Sequence, residues 1–178
     1  MQANEWGPPA WKFLHMVSFG YPQDPDNDTK DNYRQLFSIL RYTLPCSHCR
    51  KSYTEIYKYI CIDQYLDSRE GLTFWLFIIH NLVNRKLKRD LANFEDVVLE
   101  YENYRARCGD MNDIAKYSKC KNSLKEIKLS DIQNNVLITY SKYKEISKKQ
   151  IEDFYKSENI IDPKFIKCSD NCNNNNFK

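Results

Sequence analysis

Gly71 is followed by Leu72 to Val83, a strongly apolar stretch whose length, with the continuation Asn84-Arg85-Lys86-Leu87, predicts a helix buried on most of its sides. Such a helix needs other amphipathic elements around it, and the flanking segments have the matching period. Trp11, Leu14, His15 and Ser18 share one face of a first helix that starts at Pro8 and Pro9 and runs to about Phe19. After a loop from Tyr21 to Asp28, the residues Tyr33, Leu36, Phe37 and Leu40 outline a second helix, which must end before Pro45. Cys49, Tyr53, Ile56, Tyr57 and Ile60 form the stripe of a third. Phe94, Val97, Val98, Tyr101 and Tyr104 outline a shorter fifth, closed by Cys108-Gly109. The expected class is all-α, with the apolar stretch at its centre.

Charge narrows the function classes. The chain carries 27 Lys and Arg against 24 Asp and Glu, a net charge of +3, too balanced to suggest a nucleic-acid-binding domain. Leu72 to Ile79 is the longest apolar run, too short for the roughly 20 residues that span a bilayer. The first residues, Met-Gln-Ala-Asn-Glu-Trp-Gly-Pro-Pro, contain neither part of a secretory signal. A soluble, non-secreted protein of a cytosol-like compartment is expected. There, stable disulfides are rare and a cysteine pair is more often catalytic or metal-binding.

From Asp110 onward the composition shifts to Lys, Asn and Ser, so a boundary is expected near 110–122, dividing the chain into 1–109 and a lysine-rich extension, 110–178. Two capping-box-like starts, Ser130 with Gln133 and Ser147 with Gln150, predict helices in this extension. Val136, Ile138, Thr139 and Tyr140 have high β-propensity, which leaves a strand open as the alternative to the first of these helices. The polar tail from Cys168 is expected to be flexible.

Function is sought in the seven cysteines. Cys46-Ser47-His48-Cys49 occupies the N-terminal turn of the third helix, where unpaired N–H groups and the helix dipole stabilise a thiolate on Cys46. Cys49 lies one turn further in, near enough for a disulfide and more buried. Alone, the motif admits a redox pair, half of a zinc site or coincidence. A zinc site needs two more ligands, for which His48, Cys61, Cys108 and Cys120 are candidates. A thioredoxin-like domain would need a strand before the motif, where this chain has helical period. A redox dithiol in a helical bundle does not reduce oxygen quickly unaided, so a bound redox cofactor is expected.

These residues resemble the Erv/ALR family of FAD-linked sulfhydryl oxidases, including members encoded by large cytoplasmic DNA viruses. The resemblance rests on an ordered set over about residues 4–108: Trp6-Gly7-x-x-x-Trp11-x-x-Leu14-His15 with Tyr21-Pro22, then Pro45-Cys46-x-x-Cys49, then Trp75 and His80-Asn81-Leu82-Val83-Asn84-Arg85-Lys86-Leu87. It implies a four-helix bundle plus a short fifth helix, with FAD held noncovalently, and a homodimer; the C-terminal extension, expected from its own pattern to be mainly helical, lies outside the likeness. Gly7, Trp11, His15 and Tyr21 are implied to line the cofactor region together with Cys49 and His80. Asn81 and Asn84 supply polar contacts along the nucleotide, with Lys86 and Lys88 near its pyrophosphate. Trp75 is read as core. Electrons are implied to pass from protein dithiols, directly or through a thioredoxin-like carrier, to Cys46, then Cys49, FAD and oxygen, giving hydrogen peroxide. The viral likeness implies the host cytoplasm or the virion as its location.

Departures from the family pattern carry further expectations. Many members have a structural disulfide whose second cysteine would fall near Leu91 to Phe94, where none stands, so Cys61 is read as a small buried unpaired residue. Cys108 and Cys120 are candidates for a disulfide across the boundary, and Cys168 with Cys172 for a shuttle pair on a mobile arm. The competing reading is a non-enzymatic, zinc-stabilised helical adaptor built on Cys46, Cys49 and His48.

Overall fold

Helix α4, Arg69–Lys86, occupies the centre: ten of its residues, from Gly71 to Asn84, are buried. Around it pack α1 (Ala3–Phe19), α3 (Ser47–Tyr59), α5 (Phe94–Ala106), α6 (Leu129–Glu158) and a 3-10 turn at Ile62–Tyr65, while α2 (Asn27–Thr43) lies on α3. The structure, a computed structural model, describes residues 2–106 and 129–158, with side chains described to 104 and from 142 to 156. Among these residues all regular structure is helical, and no helix is long and apolar enough to cross a membrane. The expectations for Cys108-Gly109, the boundary near 110–122, Cys120, and the tail with Cys168 and Cys172 lie outside the described residues.

Trp75 is fully buried at the middle of α4. Its Nε1 donates to the Ile60 carbonyl at 2.9 Å, and Phe37 and Tyr57 meet its ring edge-on at 5.0 and 6.0 Å. It is core, as expected, and truncating such a residue typically costs about 3–5 kcal/mol. Helix starts are set by side-chain acceptors. The Asp26 carboxylate takes the Thr29 N–H at 2.7 Å for α2, and the Ser68 hydroxyl takes the Gly71 N–H at 3.2 Å for α4. At α3 a sulfur has this role: Cys46 Sγ accepts from the Cys49 N–H at 3.3 Å. The turn leading into it is held by Arg50, whose Nη1 donates to the Leu44 carbonyl at 2.5 Å.

Three expectations are corrected. α1 begins at Ala3 rather than at Pro8, with both prolines inside it. Pro8 and Pro9 remove the two N–H groups that would bond back to Asn4 and Glu5, yet the helix runs on through them and includes Trp6 and Gly7. The extension has one continuous helix where two starts were expected. Ser147 is buried inside α6 and its hydroxyl donates to the Lys144 carbonyl at 2.9 Å, so it caps nothing. The strand alternative over 136–140 gives way to the same helix. Cys61, expected to be unpaired, is buried and disulfide-bonded to a partner outside the described residues.

α6 is seated by a seam of aromatic and amide groups at helical spacing: Tyr143, Ser147, Gln150 and Phe154. Tyr143 stacks on Tyr65 at 5.8 Å, and its hydroxyl bonds Asp67 and Ser68. Gln150 accepts from the Tyr65 hydroxyl at 2.7 Å, Phe154 meets Tyr59 edge-on at 5.8 Å, and Tyr155 lies 4.0 Å from the Arg85 guanidinium. Gly71 permits this approach. A Cβ there would stand 2.3 Å from the Tyr65 carbonyl oxygen and 2.9 Å from the Tyr143 hydroxyl.

Candidate active site

One face of α1, formed by Ala3, Trp6, Gly7, Ala10, Trp11 and Leu14, looks across a cavity of about 480 Å³ at the N-terminal turn of α3 and the C-terminal half of α4. That volume lies in the roughly 300–1,000 Å³ range of cofactor pockets. His48, Cys49, Ser52 and Tyr53 form the α3 wall and His80, Val83, Lys86 and Leu87 the α4 wall; Pro8, Lys12, Leu40, Leu44, Arg89, Glu100 and Tyr101 also line it.

The two cysteines are reduced and half-buried, and the cavity distinguishes them: Cys49 lines it and Cys46 does not. Their acidities are driven apart. Hydrogen bonding from Cys49, side chain and then backbone N–H, lowers the pKa of Cys46. Burial, and then the adjoining Cys46 sulfur, push Cys49 up to about 11. Of the reduced pair, Cys46 is therefore the first to ionise as pH rises.

Aromatic rings line the opposite wall. Trp11 stacks on His80 with centroids 4.1 Å apart and planes 10° off parallel. Behind them His15 Nε2 meets His80 Nδ1 at 3.1 Å, and His15 stacks on Tyr101 at 4.9 Å. Burial first, then the mutual repulsion with His80, lowers His15 to about 3; burial and then Arg89 lower His80 to about 4. Both rings are neutral at pH 7, so one proton occupies the bond between them. Among the described residues His15 Nδ1 is buried without a partner. A bare acceptor is tolerated there better than an orphaned N–H, which places the His15 proton on Nε2 and leaves His80 carrying its own on Nε2.

Of the residues singled out from the sequence, Gly7, Trp11, Cys49, His80 and Lys86 meet at the cavity, with His15 one layer behind and Cys46 just outside. Four others are used elsewhere. Tyr21 is fully buried and donates to the Leu66 carbonyl at 2.9 Å, pinning the α1–α2 loop to the approach of α4. Asn81 clamps Ala92 with both ends of its amide, donating to the carbonyl at 3.0 Å and accepting the N–H at 2.9 Å. Asn84 is buried away from the cavity walls. Lys88 takes a left-handed φ of 54° in the turn that closes α4, where Lys88 N–H reaches the Arg85 carbonyl and Arg89 N–H the Asn84 carbonyl. That turn carries Arg89, not Lys88, into the cavity wall. Trp6, Ser52, Tyr53, Arg89 and Tyr101 are cavity residues that sequence reasoning did not place there. A start of α1 before the prolines would have revealed Trp6, since Ala3, Trp6, Ala10 and Leu14 follow helical spacing with Gly7 and Trp11.

The walls fit a flavin nucleotide on chemical grounds. Flat ring systems find Trp11, His80, Tyr53 and Tyr101, and a diphosphate finds the cations of Lys86 and Arg89. Among the described residues no cluster of three or more His, Cys, Asp or Glu surrounds Cys46 and Cys49, so the zinc-stabilised alternative lacks a ligand set there.

Comparison with known proteins agrees with this geometry. A family model described as the Erv1 / Alr family matches residues 8–104. The "Probable FAD-linked sulfhydryl oxidase R368" of Acanthamoeba polyphaga mimivirus is 36% identical over 99 residues, covering 55% of this chain and 69% of the relative. The mitochondrial FAD-linked sulfhydryl oxidase ERV1 of Saccharomyces cerevisiae is 34% identical over 87 residues, covering 48% of this chain but only 44% of the relative. Among solved structures, the crystal structure of the FAD binding domain of yeast Erv1 superposes with a TM-score of 0.51 at 29% identity, covering 57% of this chain and 95% of that one.

Proposed function

The chain belongs to the Erv1/Alr family, and on that premise we propose that it is an FAD-linked thiol oxidase that forms disulfides in protein substrates through Cys46 and Cys49. The carrying observation is the division of the pair by the cavity wall: Cys49 stands in it, and the more acidic Cys46 stands outside, where a protein thiol can reach.

In the oxidised enzyme, a substrate thiolate attacks Cys46 Sγ. A bond forms between the two sulfurs, the Cys46–Cys49 bond breaks, and the electron pair leaves on Cys49 into the cavity wall. A second substrate thiolate then attacks the substrate sulfur of the mixed disulfide and releases Cys46 as thiolate. The Cys49 N–H at Cys46 Sγ stabilises that leaving group. Substrate has lost two electrons, and the enzyme pair holds them. FAD, held by the cavity of Trp11, His80, Lys86 and Arg89, supplies a two-electron acceptor that molecular oxygen can reoxidise, giving hydrogen peroxide. The chain's own residues position that acceptor against Cys49 and keep both histidines neutral beside it.

Residues 1–109 are read as the oxidase unit and 110–178 as an extension with Cys168 and Cys172 as a shuttle pair. Support comes from Tyr155, near the end of α6, which rests on Arg85, one residue before the cavity residue Lys86. A homodimer is supported by the exposed apolar side chains Phe13 and Met16 on α1 and Ile39 and Tyr42 on α2. The viral relatives support action in a host cytoplasm.

The purified chain is expected to be yellow and to consume oxygen with a dithiol. Cys46→Ser and Cys49→Ser each abolish turnover of protein thiols while FAD stays bound. A colourless protein that takes up no added FAD would refute the proposal. Loss of Cys168 and Cys172 slows protein substrates more than a small dithiol if they shuttle.

A further inference from the structure

Pro45, in the turn between α2 and α3, has no N–H to fasten it, and Cys46, as the N-cap of α3, has extended rather than helical dihedrals, φ −111° and ψ 126°. Helix geometry alone therefore does not hold the Cys46 sulfur over the Cys49 N–H; the turn before it must. Arg50 fastens that turn at two carbonyls. Its backbone N–H meets the Cys46 carbonyl at 2.9 Å, and its Nη1 reaches back six residues to the Leu44 carbonyl at 2.5 Å. Any residue but proline makes the first bond, whereas the second needs a long donor side chain. Among the described residues the Arg50 guanidinium pairs with no carboxylate, so the Leu44 carbonyl is the partner that holds it. We propose that Arg50 is a positioning residue for the redox pair: by tying the Leu44 carbonyl to the start of α3, it keeps Cys46 Sγ on the Cys49 N–H. The proposal rests on the reading of Cys46 and Cys49 given above.

Such a clamp matters because Cys46 Sγ changes partners during exchange, bonded first to Cys49, then to a substrate sulfur, then to neither. A loose turn would let the sulfur follow the substrate and leave the N–H that stabilises it as a leaving group. Leu44 lines the cavity beside Cys49 and Arg50 does not, so the clamp acts from behind the wall. The guanidinium suits this place because it stays charged and its donors form a rigid fork. Its charge also favours the ionised form of Cys49, against the burial and the Cys46 sulfur that oppose it.

The test uses the full chain and compares the wild type with Arg50→Met, which keeps an apolar stem and loses the donor and the charge. In the reduced protein the pH midpoint for alkylation of Cys46, read by mass spectrometry, should rise by about half to one pH unit in Arg50→Met, the worth of one hydrogen bond. Turnover of a protein dithiol should fall about threefold to tenfold for the same reason. Arg50→Lys, which keeps a donor and the charge, should lie nearer the wild type in both. Should Arg50→Met fail to fold, Arg50→Gln, whose amide is too short to reach Leu44, takes its place. A variant that alkylates Cys46 at the wild-type pH, whatever its melting temperature, overturns the proposal, because Arg50 then serves the fold alone. If the wild type oxidises no dithiol, the redox reading fails instead, and the alkylation midpoints still decide the role of Arg50.

Discussion

Truncating Asn81 to alanine removes both ends of a two-bond clamp between α4 and the loop that follows it. The amide donates to the Ala92 carbonyl at 3.0 Å and accepts the Ala92 N–H at 2.9 Å. Each bond is worth about 0.5–1.5 kcal/mol net, and the half-buried Ala92 groups left behind add part of a desolvation penalty, so Asn81→Ala should lose about 2–3 kcal/mol. For a chain of this size that corresponds to a fall of roughly 4–12 °C in melting temperature. The decisive sample is the FAD-free protein. If Asn81 is a clamp, the apo-protein loses this stability in full, and the loaded protein loses at least as much because the loop carries Leu87 and Arg89 on the cavity wall. Calorimetry on both forms reads the outcome. An Asn81→Ala apo-protein that melts within about 1 °C of wild type, with FAD affinity reduced, would show instead that the amide serves the nucleotide.

Three other outcomes follow from the site and the seam. Alkylation of the reduced protein near neutral pH should modify Cys46 first, with Cys49 reacting only as pH rises toward about 11; equal rates, read by mass spectrometry, would contradict the charge division. Because His15 and His80 titrate at about 3 and about 4 in the fold and near 6.5 when unfolded, the unfolded chain takes up protons first as pH falls. Their contribution is therefore present above pH 6.5 and lost progressively toward pH 4, and the decline in melting temperature over that window should be shallower in His80→Gln. Gly71→Ala forces a methyl group against the Tyr65 carbonyl and the Tyr143 hydroxyl and should destabilise by about 1–3 kcal/mol, measured by denaturant titration. A neutral effect would mean that α6 does not sit as closely as described.

Periodicity in the sequence identified the buried face of each element, and it succeeded wherever apolar side chains decided the outcome. α4 lies at the centre, and Cys46 and Cys49 open α3 behind Pro45. It was blind to polar side chains that satisfy a neighbouring backbone. Tyr21 and Asn81 sit in motifs that suggest a cofactor contact, yet their hydroxyl and amide go to Leu66 and Ala92. Backbone conformation misled at two further points. The left-handed residue ending α4 is Lys88 where glycine is usual, so the residue brought to the cavity is its neighbour Arg89. At Ser147 a residue that typically starts helices is accommodated within one, because Tyr143, Gln150 and Phe154 carry the stripe across it.

The seam that seats α6 bears on how this chain can be divided. The family-matched region ends at residue 104, so a protein cut there would keep all that the family model matches. Yet in the whole chain Tyr59, Tyr65 and Phe74 are covered by Phe154 and Tyr143, and the Tyr65 hydroxyl finds its acceptor on Gln150. Cutting would bare a patch of aromatic surface and strand that hydroxyl, so the piece that looks complete by homology should be sticky and prone to self-association. The smallest well-behaved unit extends past Tyr155.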